Sequence, residues 1–394
     1  MAENTDSMPL TVKLKLLVYI PITILAAIKY VITMTFSAGP RRSLRRTIVA
    51  GLSRASALII GRLTSKYTDT QPSTGDAIRK YCEANKIALR SVKVPILGRN
   101  SKDMGTAPPP PPPAILHMLS TTTPGHRVVL YFHGGGYTQP AFEPSHIPFA
   151  LKLAAAANAS TLGVLEYGLA PKLRYPGQLV QGIESLRYLL SSSTAGGAGM
   201  AASSIVVIGD SAGANLVAGV LAHMHCTSPY ADPLNLTDRI GAAVLISPWV
   251  SNGFNSDSYV ANAKKDTIDV KGMIAAREKW SPKTEEVWAD MLEGKIPGSE
   301  DQASFWTNVF SGHARAVEKA VVTVGEDEIF LDDISAFAKM AGAKLKSSDL
   351  GEDATATLVR CPGETHCGAM LDALIGLQKE HSMLSEVMMW LEGL

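Results

Sequence analysis

Ser211 stands in Gly209-Asp210-Ser211-Ala212-Gly213, between an apolar β-branched run, Ser204 to Ile208, and a helix-like run, Ala214 to Met224. A serine at such a strand-to-helix turn, with a glycine on each side, has the pattern of a nucleophile elbow. The small residues let the two backbones pass closely, and the hydroxyl is lifted to the end of the sheet at the helix N-terminus. A serine hydroxyl is a weak nucleophile. It needs a base within hydrogen-bond reach and donors for the oxyanion it creates. His133-Gly134-Gly135-Gly136-Tyr137 directly follows a strand-like run ending at Phe132. Glycines there let bare N–H groups face a developing charge. A phosphate loop would want Lys-Ser/Thr and an immediate helix, and this stretch has neither. The expected oxyanion donors are the N–H groups of Gly135, Gly136 and Ala212, with His133 structural rather than a base. Among nine histidines, His366 lies in Cys361-Pro362-Gly363-Glu364-Thr365-His366-Cys367-Gly368, after a strand-like run and before a helix-like one, where a base is needed. The acid belongs after the preceding strand, in the run Gly325 to Asp333. Its carboxylates are Glu326, Asp327, Glu328, Asp332 and Asp333, and position alone does not choose among them. One of them must hold the imidazole tautomer and stabilise the imidazolium.

These residues need a sheet to hold them. Strand-like runs occur at 89–97, 115–119, 128–132, 161–167, 204–208, 241–246, 320–324 and 356–360. Helix-like runs fill most gaps from residue 149 onward, the last spanning Leu371 to Leu391. Such alternation predicts an α/β fold with a mostly parallel eight-stranded sheet and helices on both faces, antiparallel at its start. Ligands then bind beyond the carboxyl ends of the strands, where Ser211 sits by construction. Residues 252–316 show little strand character and carry Trp280, Trp288 and Trp306, so an inserted helical segment is expected. The six consecutive prolines Pro108 to Pro113 cannot join a sheet and are expected to act as a stiff spacer rather than an SH3-type ligand.

The 394 residues are enough for one large α/β domain with an appendage, and the net charge of +1 makes nucleic acid an unnatural partner. Four cysteines sit in no metal-ligand spacing. Cys361 and Cys367 could pair, but reduced thiols are the expectation. Leu16 to Phe36 is an apolar run long enough to cross a bilayer, though it carries Pro21 and Lys29. Arg41, Arg42, Arg45, Arg46 and Arg54 follow it, which would leave the rest of the chain cytosolic if the run spans. The alternative is a helix covering the site mouth of a soluble protein. Two further helices are expected at 45–66 and 76–85.

The combination of motifs resembles the hormone-sensitive-lipase-like branch of the α/β-hydrolase family. His133 to Gly136 matches its HGGG motif, 209 to 213 its GDSAG elbow, and Ser247-Pro248-Trp249 its Ser-Pro-Trp. Tyr167-Gly168-Leu169-Ala170-Pro171-Lys172 stands where the branch has Y-R-L-A-P-E, so an ion pair common in the family is expected to be missing. The resemblance covers about residues 125–370 and implies an α/β-hydrolase fold with a helical cap. It implies a catalytic domain at 87–251 and 317–394, cap helices at 41–86 and a cap insertion at 252–316; the apolar run makes 1–40 a membrane anchor or cap helix. The family pattern D-x-L-x-D-D, aligned on Phe330 and Asp332-Asp333, puts Glu328 at the catalytic position, with Asp327 the runner-up. Glu326, Asp332 and Asp333 are then expected to be solvated or helix-capping, and Asp210 to hold the elbow. The implied activity is a serine carboxylic-ester hydrolase using Ser211, Glu328 and His366 on a hydrophobic small-molecule ester, with no metal or organic cofactor. Alternatives are an amide deacylase, a hydrolase of a polyketide-type pathway, or a non-catalytic receptor, against which His366 argues. The N-terminus lies outside the resemblance; from its apolar run, residues 16–36, the expected location is membrane-associated, such as the endoplasmic reticulum, with the cytoplasm as alternative.

Overall fold

The computed structural model describes residues 10–37, 42–64, 72–97, 109–234, 236, 238–299, 301–346, 354–377 and 380–394. Two long helices, α1 (Leu10–Ser37) and α2 (Leu44–Thr64), lead into α3 (Thr74–Asn85). A reciprocal box between Ser73 and Asp76 caps α3 at its start. The chain then runs through β1 (Leu89–Lys93), β2 (Ile115–Ser120), β3 (Arg127–Phe132), α4 (Glu143–Ala156), β4 (Ala159–Glu166), α5 (Gly177–Leu190), β5 (Ile205–Asp210), α6 (Ala212–His225) and β6 (Ile240–Ile246). An excursion carries α7 (Ser258–Ala261), α8 (Val270–Trp280) and α9 (Gln302–Phe310). The last stretch is β7 (Val317–Gly325), α10 (Leu331–Met340), β8 (Lys344–Leu345), β9 (Ala356–Cys361), α11 (Gly368–Leu374) and α12 (Met383–Glu392).

The sheet order is β1-β2-β4-β3-β5-β6-β7-β9-β8. The β1/β2 and β2/β4 pairs are antiparallel and the rest parallel. The eight expected strands are joined by a ninth, β8. Its two exposed residues at the sheet edge are too short to leave a periodic signal. Along β5 every residue is buried, as a central parallel strand requires. Val206 and Ile208 pack on one face with Phe149 and Leu153 of α4 and Val387 of α12. Ile205 and Val207 pack on the other with Ile183 of α5 and Val217 and Leu221 of α6.

Two further expectations change. The single helix foreseen over Leu371 to Leu391 is two, α11 and α12, because Gly376 and His381 between them take left-handed backbone. Residues 252–316 are less helical than expected. Three short helices are joined by irregular chain, held by buried Trp280, Trp288 and Trp306. Lys66 and Ala107-Pro108 lie outside the described residues, while Pro109 to Pro113 pair with no strand and Pro112 accepts a hydrogen bond from Gln181 at 2.8 Å. Helix α1 lies against α2, with Ala27 and Met34 buried. A Cβ on Gly51 of α2 would stand 2.6 Å from Val31, so the absent side chain lets the helices approach.

Candidate active site

β5 ends at Asp210 and α6 begins at Ala212, which leaves one residue for the whole change of direction. Ser211 makes it with φ 53° and ψ −117°, a strained backbone for a residue with a Cβ. Its N–H donates to the Ile246 carbonyl at 2.9 Å and its carbonyl accepts from Trp249 N–H at 3.1 Å, so the end of β6 and the loop after it over-determine the turn. The flanking glycines are steric necessities. A Cβ on Gly209 would stand 2.4 Å from the Gly213 carbonyl carbon, and one on Gly213 would stand 1.9 Å from the Phe132 oxygen.

His366, in the loop between β9 and α11, brings Nε2 to 2.8 Å from Ser211 Oγ. Its Nδ1 lies 3.0 Å from Glu328 Oε2, in the loop after β7. The other oxygen of Glu328 accepts the Gly325 N–H at 2.6 Å and the Ser247 hydroxyl at 3.3 Å. Ser247 also accepts the Cys367 N–H at 3.1 Å, so the Ser of the Ser-Pro-Trp stretch ties the acid loop to the histidine loop. Burial alone would lower the His366 pKa. The hydrogen bond and charge of Glu328, with Asp266 and Asp210 behind, outweigh it, and the pKa is raised. Asp327, the other candidate acid, does not reach the ring: its carboxylate is paired with buried Arg42 at 2.7 Å.

The glycine loop lies beside the elbow. Gly135 and Gly136 have φ 103° and 60°, and among the described residues no acceptor takes their N–H groups. Ala212 is the first residue of α6, so its N–H has no acceptor within the helix. Gly134 donates instead to Asp210 Oδ1 at 3.0 Å, and Tyr131 donates to the same oxygen, so Asp210 joins the elbow to the loop. His133 is fully buried, bonded to Gly134 O at 2.8 Å and Thr74 Oγ1 at 3.2 Å, and stacked on Tyr167. Burial, with His146 nearby, lowers its pKa to about 3, so it stays neutral. The loop and elbow are covered by residues 252–316. Ala276 of α8 would sit 3.1 Å from a Cβ on Gly136, and Trp280 stacks on Tyr137 at 4.3 Å.

Several partners were not visible in the sequence. Asp332 and Asp333, expected to be solvated or to cap α10, both stand in its first turn; Asp332 is exposed and Asp333 buried, and both also hold the covering segment. Asp332 accepts the Ser258 N–H at 2.7 Å, and buried Asp333 accepts the hydroxyls of Ser256 and Tyr259. The reason is that α7 packs onto the start of α10 and supplies donors that water would otherwise provide. Buried Arg46 reaches Glu364 at 2.8 Å and also pairs with Asp372, while Arg42 donates to Gly363 O at 3.3 Å; both arginines thus brace the His366 loop. Where the family's arginine is missing, Gly168 is closed over by Leu173 and donates its N–H to Gln181 at 2.8 Å. The four cysteines are free thiols, Cys361 and Cys367 among them. Among the described residues no group of three or more His, Cys, Asp or Glu is arranged to hold a metal ion.

A mostly parallel sheet with a strained serine at a strand end, a glycine loop beside it and a histidine and acid on later loops defines the α/β-hydrolase class. Residues 129–370 match the profile of the alpha/beta hydrolase fold family, and the chain belongs to that family, in its hormone-sensitive-lipase-like branch. An alpha/beta hydrolase of Acanthamoeba polyphaga mimivirus is 25% identical over 248 residues, 63% of this chain and 62% of its own length. Neutral cholesterol ester hydrolase 1 of Bos taurus is 25% identical over 137 residues, 34% of this chain and 32% of its own. The chain therefore spans less than two thirds of these relatives. A fungal esterase structure from Rhizomucor miehei superposes with a TM-score of 0.57 at 21% identity, covering 78% of this chain and 82% of that one, and shares the fold.

Proposed function

We propose that the protein is a serine carboxylic-ester hydrolase in which Ser211, His366 and Glu328 are the catalytic triad. The reading rests on one observation above the others: a continuous chain of hydrogen-bond contacts from Ser211 Oγ through both nitrogens of His366 to Glu328, at 2.8 and 3.0 Å. Ser211 Oγ attacks the ester carbonyl carbon while His366 Nε2 takes its proton. Glu328 fixes the tautomer and stabilises the imidazolium. The N–H groups of Gly135, Gly136 and Ala212 hold the tetrahedral oxyanion. The C–O bond to the alcohol breaks, and the alcohol leaves with the proton from Nε2. Water then attacks the acyl carbon, gives a proton to Nε2, and releases the acid as that proton returns to Ser211.

A hydrophobic ester suits the apolar surroundings of the glycine loop, whose Tyr137 packs in the core against Trp249 and Trp280. That a relative is named a cholesterol ester hydrolase agrees with this substrate class. A membrane location fits the stretch Ile20–Ser37 of α1, whose mean hydropathy is 1.6 with 11% of it buried in the protein. The test is hydrolysis of p-nitrophenyl esters by the full chain and by Ser211→Ala. The variant is expected to stay folded and release no p-nitrophenol above background; retained turnover would overturn the mechanism.

A further inference from the structure

Asp266 is fully buried, 100 residues from His366 in sequence, and the triad does not use it. It lies in the segment between α7 and α8, outside every motif. Its Oδ1 accepts the backbone N–H of His366 at 2.9 Å, and its Oδ2 accepts the N–H of Ile329, the residue after Glu328, at 2.7 Å. Thr267 N–H is a third donor, to Oδ1, at 2.6 Å. One carboxylate thus spans the two loops that carry the base and the acid. Each oxygen takes a different loop, so its position sets their separation.

The segment around it is fixed on both sides. Asn262 Nδ2 donates to the carbonyls of Glu326 and Glu328, at 3.0 and 2.9 Å. From α2, Arg54 donates to the carbonyls of Ala263 and Asp266, at 2.7 and 3.0 Å. A buried carboxylate is costly unless its lone pairs are satisfied, and converging N–H donors favour its ionised form. A protonated Asp266 would turn one oxygen into a donor facing an N–H. Burial raises its pKa; the charge of His366 and the backbone donors oppose that without cancelling it.

We infer that Asp266 is a positioning residue for the hydrolytic reaction, holding His366 against Ser211 and Glu328 by bridging the two loops and lending its charge to the imidazolium. This rests on the triad reading above. The charged groups facing His366 are Glu328 from the loop after β7, Asp266 from the covering segment and Asp210 from the end of β5. Removing any one of these negative charges lowers the pKa of the ring.

The experiment compares kcat, KM and the pH profile of kcat/KM on a p-nitrophenyl ester for the full chain, Asp266→Asn and Arg54→Ala. Asp266→Asn keeps the shape and one acceptor but removes the charge and turns a donor toward an N–H. Its kcat is expected to fall about 10- to 100-fold with KM little changed, as for a displaced catalytic group. The acid limb of its profile is expected to move down by about one pH unit. Arg54→Ala loosens the segment while leaving the carboxylate, so kcat should fall with the acid limb unmoved. Wild-type kcat in Asp266→Asn overturns the inference, and so does a lost kcat with an unmoved acid limb, which is what a purely structural side chain gives. If Asp266→Asn does not fold, Asp266→Ser is read by the same two criteria: a lowered kcat with the acid limb moved down supports the inference, and a wild-type kcat or an unmoved acid limb overturns it. An inert wild-type chain fails the ester-hydrolase reading itself; an active one with unaffected variants fails this inference alone.

Discussion

Glu328 meets the His366 ring from the loop after β7, where the adjacent carboxylate of Asp327 is turned to Arg42. Two adjacent carboxylates therefore have separate tasks. Glu328→Gln is expected to lower kcat by about 10³- to 10⁴-fold through loss of the imidazolium partner. Asp327→Asn should leave kcat near wild type and lower the melting temperature, since Arg42 loses its partner. Steady-state kinetics beside thermal melts separate the two. The raised pKa of His366 also fixes a sign. The base must be neutral to accept the Ser211 proton, so kcat/KM falls on the acid side with a midpoint above 6.5, the ordinary histidine value. The same shift stabilises the folded chain below the unfolded value and is lost as pH rises through the folded one. Activity and this part of stability therefore move in opposite directions across that window, which a pH series of rates and melts reads directly. Ser211 and the glycine loop were legible in sequence because their chemistry depends on a few contiguous residues. The choice of Glu328 needed the family pattern, since five nearby carboxylates look alike until the fold assigns partners.

Helix α2, with Arg42 two residues before it, and the segment after β6 act on the candidate site from outside it. Arg42 and Arg46 grip the His366 loop, Arg54 grips the Asp266 segment, and Asp332 and Asp333 hold the start of α7. None of this was legible, because each contact joins residues more than seventy apart and no local period marks it. The strands were legible because buried β-branched runs between helices leave a strong pattern. β8 was not, having two exposed residues. Arg46→Met tests the brace. It removes a cation set between two buried carboxylates, so unfolding free energy measured in urea is expected to drop by about 3–5 kcal/mol. A change within experimental error would mean the brace contributes nothing.

At the scale of the whole molecule, the outer face of the α1–α2 pair is apolar. Ile20, Leu25, Ile28, Ile32 and Phe36 of α1 and Leu44 and Leu52 of α2 are exposed, more than solubility favours on one face. The proposed membrane association follows from that face. Ile28→Asp with Ile32→Asp is expected to shift the chain from the membrane pellet to the supernatant while leaving hydrolysis of a water-soluble ester unchanged; an unshifted distribution contradicts it. Ser211 and His366 are each 6% exposed, so the surrounding segments shield the pair from bulk water.

The central claim is that Ser211 is a nucleophile activated by His366. The most direct measurement is covalent labelling of the full chain with a fluorophosphonate, read by intact mass and peptide mapping, beside His366→Ala. The account predicts a single adduct on Ser211, formed far more slowly in the variant. No adduct, an adduct elsewhere, or equal labelling of both proteins would contradict it.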